Sequence, residues 1–281
     1  MKAVLALLLA VPSFAAEPPP KPRVFPGLVV DVKTKDGWSL RAKYNPSREG
    51  KMSFLLLHGV GGRKEDWYWL VKPLFKRGCG YLAVDLRGHG ESRTSPDGKP
   101  AVYRKFVVTK AYNEYLNMSA DLEAAIAYLN SQGVSEEKIV IVGADVGGSL
   151  GLRYGALHPK IPMVALLSPG MKYQEVTTVN AMRAYKTRPI LMVYSEADKT
   201  SARETPILYA FAKMSVGEDK ATLLVAPTEH GTKMLRGPMI GQVLDWVNDP
   251  IKVGIATSST SAAEVQASTE AVEEEVAEPA P

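Results

Sequence analysis

Residues 138–157, KIVIVGADVGGSLGLRYGAL, constrain the fold of this chain more than any other stretch. Ile139, Val140, Ile141 and Val142 form a short β-branched run, followed by the small-residue turn Gly143-Ala144-Asp145-Val146-Gly147-Gly148 and then a helix-compatible segment. A run of that length fits a strand buried on both faces, and the glycines permit a sharp turn where a Cβ would collide. This is the outline of a nucleophile elbow, which lifts one side chain above a sheet. The lifted residue is Asp145, where the common Gly-x-Ser-x-Gly pattern has serine. Gly147-Gly148-Ser149-Leu150-Gly151 matches that pattern literally, but Ser149 falls a turn into the following helix, below the site.

Strand and helix signals alternate around this turn. Residues 28–32 and 38–44 are strand-like on either side of Lys35-Asp36-Gly37 and predict an antiparallel hairpin. Residues 52–57 are another continuous apolar run, ending in His58-Gly59-Val60-Gly61-Gly62, and 65–77 suit a helix. Residues 81–84 read as a buried strand ending in Asp85-Leu86-Arg87-Gly88-His89-Gly90-Glu91-Ser92. The spacing of Leu122, Ala125, Ile126 and Leu129 predicts a helix over 116–130. Further strands are expected at 163–167, 190–194 and 221–225, and helices at 174–185, 202–214 and 238–247. Such alternation specifies an α/β domain. Residues 94–113, polar and then aromatic with Tyr103, Phe106 and Tyr112, are predicted to fold over the site.

A 281-residue chain, 46% hydrophobic, is long enough for one such domain, assigned to residues 27–250. Residues 1–16 read as a secretory signal peptide: Lys2, an apolar run over 3–11, then small residues near Ser13-Phe14-Ala15. A secreted or periplasmic location follows. The run is shorter than the about 20 apolar residues a membrane span needs, so no stable membrane insertion is expected after cleavage. Residues 17–26 form a proline-rich linker. Residues 251–281 are an acidic Ala/Ser/Glu-rich tail, too poor in large apolar residues to fold. Six glutamates and no Lys or Arg follow Lys252, which leaves a net charge of +10 on the rest of the chain. Its basic residues are scattered without interleaved aromatics, so nucleic acid is not an expected partner. Cys79, the sole cysteine, excludes an intrachain disulfide and zinc sites built on paired cysteines.

Three glycine-rich turns at the ends of successive strands, with Asp198 after a late strand and His230 after the last, resemble the α/β-hydrolase superfamily over residues 27–248. The likeness is to its capless esterase- and peptidase-like branch. It implies an α/β-hydrolase fold, a mostly parallel central sheet of about eight strands with helices on both faces. It also implies a small-molecule substrate, and the motifs require neither metal nor organic cofactor. The superfamily's order of nucleophile, acid and histidine is matched by Asp145, Asp198 and His230. The other histidines have different assignments: His58 and His89 belong to glycine turns, and His158 precedes Pro159 at a helix end. Glu196 and Glu229 are rival carboxylates that spacing does not exclude. The resemblance assigns oxyanion-hole N–H donors to Val146 and to Val60 or Gly61. Trp67, Trp69, Tyr103, Tyr112 and Tyr115 are candidates to line a cleft.

Asp145 leaves three readings open. A carboxylate can attack an alkyl carbon and form an enzyme ester that a His230-activated water hydrolyses. Haloalkane dehalogenases and epoxide hydrolases work this way, but they usually place Trp after the aspartate and insert a helical cap after the sixth strand. This chain has Val146 and only a short interval, residues 168–187. Alternatively Asp145 replaces the serine of a capless esterase and holds a water as general base. In the third reading catalysis is lost, the carboxylate occupies the oxyanion donors, and the cleft binds without turnover. The expected function is hydrolysis of ester or related carbonyl substrates through an Asp-Asp-His site, with a noncatalytic binding protein and an alkyl halide or epoxide hydrolase as alternatives.

Overall fold

A computed structural model describes residues 24–109 and 111–253. The stretch that reads as a signal peptide, most of the proline-rich stretch and nearly all of the acidic tail lie outside them. The strands are β1 (Leu28–Lys33), β2 (Ser39–Asn45), β3 (Ser53–Leu57), β4 (Gly80–Val84), β5 (Ile139–Ala144), β6 (Met163–Leu167), the two-residue pair β7 (Lys172–Tyr173) and β8 (Val176–Thr177), β9 (Ile190–Ser195) and β10 (Ala221–Ala226). The helices are α1 (Tyr68–Lys76), α2 (Glu114–Asn117), α3 (Ser119–Ser131), α4 (Val146–Leu157), α5 (Val179–Tyr185), α6 (Lys199–Val216) and α7 (Pro238–Asn248).

Continuous apolar runs become the middle of the sheet. Every residue of β3, β4, β5 and β9 is buried, as strands covered on both faces must be. In β2 fully buried residues alternate with partly exposed ones, which fits a strand near the sheet edge. The order is β1-β2-β4-β3-β5-β6-β9-β10, parallel from β4 to β10 and antiparallel where β2 meets β1 and β4. Leu122, Leu150, Met182 and Leu208 of α3 to α6 pack one face, and Leu70, Val243 and Trp246 of α1 and α7 pack the other. After β3 the chain steps outward to β4, then returns to lay β5 on the other side of β3. That reversal leaves a crevice beyond the carboxyl ends of β3 and β5, where open α/β sheets bind ligands.

Two segments depart from the expected pattern. Residues 174–185 do not form one helix: Gln174 and Glu175 adopt φ of 49° and 59°, which turns β7 back on β8, and α5 starts only at Val179. A helix cannot run through two successive left-handed residues. From the 94–113 stretch Tyr103 packs behind the first glycine turn, against Gly61 and Gly88, and Asn113 Nδ2 donates to Gln174 O at 2.7 Å. The two covering segments are thus tied together on the α3–α6 face of the sheet.

Candidate active site

At the end of β5 the chain reverses into α4 through Asp145, whose φ of 51° and ψ of −120° lie outside the regions open to most residues. Holding such a conformation costs about 1–3 kcal/mol, and it aims the carboxylate into the crevice. Two glycines make the reversal possible. A Cβ on Gly143 would lie 2.5 Å from the Gly147 carbonyl, and one on Gly147 would lie 2.5 Å from the carbonyl oxygens of both Leu57 and His58. These obstacles are backbone, so Gly147→Ala is expected to lower the unfolding free energy by about 1–3 kcal/mol. Urea denaturation measures this, and a loss below about 0.5 kcal/mol, the size of an ordinary surface change, would mean that α4 moves off β3 freely.

The three predicted residues come together through His230. Its Oδ2 lies 3.4 Å from His230 Nε2, and His230 Nδ1 lies 2.5 Å from Asp198 Oδ2. His230 therefore bridges two carboxylates. The Val60 N–H donates to Asp145 Oδ2 at 3.3 Å, and the Val146 N–H donates to Oδ1 at 2.5 Å. These are two of the three amides assigned to the oxyanion hole. The third, Gly61, turns against Tyr103 at a φ of 76°. Gly59 admits the carboxylate, since a Cβ there would fall 2.6 Å from Asp145 Oδ2.

Short strand-end loops fix the other two residues. Asp198 caps α6, accepting the Ser201 N–H at 3.3 Å on Oδ1 and the Ser201 hydroxyl at 2.5 Å on Oδ2. His230 sits between Glu229 and Gly231, both at positive φ. The Ser195 hydroxyl at the end of β9 donates to Glu229 O at 2.6 Å, and the Gly231 N–H donates to Ser168 Oγ, just after β6, at 2.9 Å. Of the rival carboxylates, Glu196 accepts from the Tyr194 hydroxyl and Glu229 contributes its backbone. Ser149 is buried with its hydroxyl against that of Thr178.

The hydrogen bond to Asp145 is the largest influence on His230; with Asp198 it outweighs burial and raises the imidazole pKa from 6.5 to about 9. His230 is thus an imidazolium at neutral pH. Burial pushes the Asp198 carboxyl up, but the hydrogen bonds from Ser201 and His230 outweigh it and hold the group below its ordinary 3.8. Burial holds His58 and His89 neutral, each with a pKa lowered to about 4.

The loop that carries Val60 has a support that the motifs do not announce. Lys64, 2% exposed, places Nζ 2.8 Å from Asp85 Oδ2 and 2.6 Å from Glu91 Oε1. Asp85 also accepts the N–H groups of Lys64 and Glu91. His58 donates from Nδ1 to Gly59 O, and its Nε2 accepts the Leu86 N–H at 3.0 Å. The first two glycine turns are thus joined by an ion pair and a histidine. The glycine motifs locate Asp85 and His58; a lysine in a polar stretch gives no sequence signal that it will be buried.

A cavity of about 610 Å³ opens onto Asp145 and His230, walled by the Gly59–Asp66 turn on one side and by the His230 loop on the other. Phe25 and Trp69 also line it. Of the other aromatic candidates, Trp67 is core, Tyr103 sits behind Gly61 with Tyr115 hydrogen-bonded to its carbonyl, and Tyr112 is half exposed. Among the described residues no three His, Cys, Asp or Glu side chains converge as metal ligands, and no helix is long and apolar enough to cross a membrane.

Residues 53–193 match the profile of the alpha/beta hydrolase fold family, a span that holds Asp145 and ends before Asp198 and His230. The chain is 29% identical over 126 residues to monoacylglycerol lipase abhd6-B of Xenopus laevis, covering 44% of this chain and 32% of the lipase. It is 26% identical over 133 residues to protein phosphatase methylesterase 1 of Schizosaccharomyces pombe, covering 46% of this chain and 34% of that protein. The aligned part thus spans about a third of these relatives. The structure of the Pyrococcus furiosus esterase Pf2001 superposes with a TM-score of 0.61 at 19% identity, covering 84% of this chain and 95% of the esterase. With the eight-stranded sheet, the elbow and the matched profile all in agreement, the chain belongs to the α/β-hydrolase fold family.

Proposed function

We propose that this protein binds an ester or related carbonyl compound in its cleft and does not turn it over by acyl transfer at neutral pH. The observation that carries this reading is the division of the backbone donors over both oxygens of Asp145: Val60 N–H on Oδ2 and Val146 N–H on Oδ1. An acyl oxyanion needs such donors for itself, and here the resident carboxylate holds them. His230, protonated between two carboxylates, lacks the lone pair of a general base. The chemistry points the same way. Carboxylate attack on an ester would form an anhydride while expelling an alkoxide, and the better leaving group of that adduct is the carboxylate itself.

A second reading, hydrolysis through an Asp145 ester, is favoured by the strained elbow and by the intact pairing of His230 with Asp198. Alkylation of Asp145 would remove its charge and with it the strongest hold on the His230 proton, freeing the imidazole to activate water. Val146 and the slender 168–189 connection, only a small hairpin and α5, count against the alkyl substrates such chemistry usually serves.

The test is hydrolysis of short acyl esters and alkyl halides by wild type, Asp145→Ser, Asp145→Asn and His230→Ala. Wild type is expected to be inactive, with Asp145→Ser gaining about 10²-fold or more on acyl esters, the scale of a restored nucleophile and base. Wild-type turnover that Asp145→Asn abolishes, with a covalent adduct accumulating in His230→Ala, would replace the first reading with the second.

A further inference from the structure

The acids and bases that line the cleft are not evenly paired. Its three carboxylates are all engaged by the protein: Asp145 as described, Glu65 by Lys64 Nζ at 3.1 Å, and Asp66 by the Arg63 N–H at 2.9 Å. Arg63 in turn faces Glu65, with Nε 3.9 Å from Oε2. Lys233 and Arg236 differ. Both line the cavity and are exposed, and no carboxylate among the described residues pairs with either. The Arg236 guanidinium lies 4.6 Å from the centre of the Trp69 ring. A guanidinium held over a ring face by cation–π attraction is restrained in place, and a guanidinium fork can receive a carboxylate in bidentate fashion. Lys233 belongs to the short helical turn Gly231–Met234 directly after His230, so its ammonium rises from the same loop that carries the imidazolium. The body's net charge of +10 would steer an anion toward the cleft.

We infer that the cleft's ligand carries a carboxylate, held at the rim between Lys233 and the Trp69-stacked Arg236, with its uncharged carbonyl end toward Asp145. The inference rests on the reading of this cavity as a small-molecule site and narrows its ligand to acidic carbonyl compounds. The orientation follows from charge. Asp145 repels an anion at the floor, whereas the rim offers two cations without acidic partners.

Monomethyl glutarate and dimethyl glutarate separate the idea from its rivals, since they share a skeleton and differ in one negative charge. Binding is read at low ionic strength from NMR shifts of the Trp69 indole N–H and the Gly231 amide. The half-ester is expected to bind about tenfold tighter than the diester, as one or two hydrogen bonds to a charged group provide. Lys233→Gln/Arg236→Gln should remove that preference by weakening the half-ester about tenfold relative to the diester, and Arg236→Lys should lose most of the preference because a lysine cannot bind bidentately. Equal binding of the two probes, no binding of the half-ester, or a preference that survives the double substitution would each overturn the inference. Methanol release from either probe by wild type would sink the non-turnover reading instead, and the charge preference would then be read as a ratio of KM values.

Discussion

Lys64→Met is expected to lower the unfolding free energy by about 3–5 kcal/mol, the cost of leaving one member of a buried ion pair without its partner. The reason lies in what remains. Asp85 is fully buried, and a Cβ on Gly90 would lie only 2.1 Å from its carboxyl carbon, so the neighbouring backbone leaves the group no room to turn toward solvent. Glu91 and Glu65, the other partners of Lys64, are 59% and 40% exposed and can exchange the ammonium for water. The penalty therefore falls on Asp85. Asp85→Asn keeps the shape and discards the charge, and it should cost distinctly less, because Lys64 retains two carboxylates. Guanidinium denaturation of both single variants and the double variant gives the coupling energy. A Lys64→Met loss below about 1 kcal/mol would mean that the Asp85 carboxylate is reached by water or protonated, the usual escape of an unpaired buried charge. The variant should also loosen the turn that carries Val60, since Lys64 ties that turn to the one after β4.

Asp145→Asn should bring the His230 titration midpoint from about 9 down toward the ordinary imidazole value of 6.5. The amide keeps the contact but loses the negative charge, removing the largest force that holds the proton; Asp198 then acts alone against burial. Proton NMR of the imidazole carbons is well suited to this chain. Of four histidines, His58 and His89 are held at about 4 by burial and stay silent above neutrality, so neither overlaps the His230 transition. The sign of the stability effect follows. Because the folded-state pKa is raised above the unfolded 6.5, the protonated triad stabilises the fold fully below that value, and the contribution is lost as pH rises through about 9. Wild type should weaken over that interval in chemical denaturation, and Asp145→Asn should weaken much less. Identical slopes would show that His230 is not coupled to Asp145.

Much of this architecture is legible in the sequence. Apolar runs give β3, β5 and β6 nearly to the residue, because a strand buried on both faces can be little else at that length. The glycine turns announce the elbow for a steric reason: Gly143 and Gly147 touch each other or the neighbouring strand end. Spacing could not choose among Asp198, Glu196 and Glu229, since the choice depends on which carboxylate Ser201 and the α6 cap turn toward His230. Helix periodicity over 174–185 misled because side-chain pattern carries no record of the two left-handed residues that fold β7 onto β8. Lys64 and Arg236 were equally hidden. Whether a lysine is buried or an arginine stacked depends on partners 21 and 167 positions away, a matter of tertiary contact.

Phe25 gives the amino-terminal segment a role that its composition conceals. Its ring packs edge-on against Tyr81, 6.2 Å between centroids, the Tyr81 hydroxyl donates to Pro26 O at 2.6 Å, and the same phenylalanine forms part of the cleft wall. The stretch that reads as a mere spacer before the first strand thus ends as part of the cavity lining. Trimming the chain at Gly27, a natural place to cut by sequence, would leave the sheet intact and remove one aromatic ring from the wall of the cavity over Asp145.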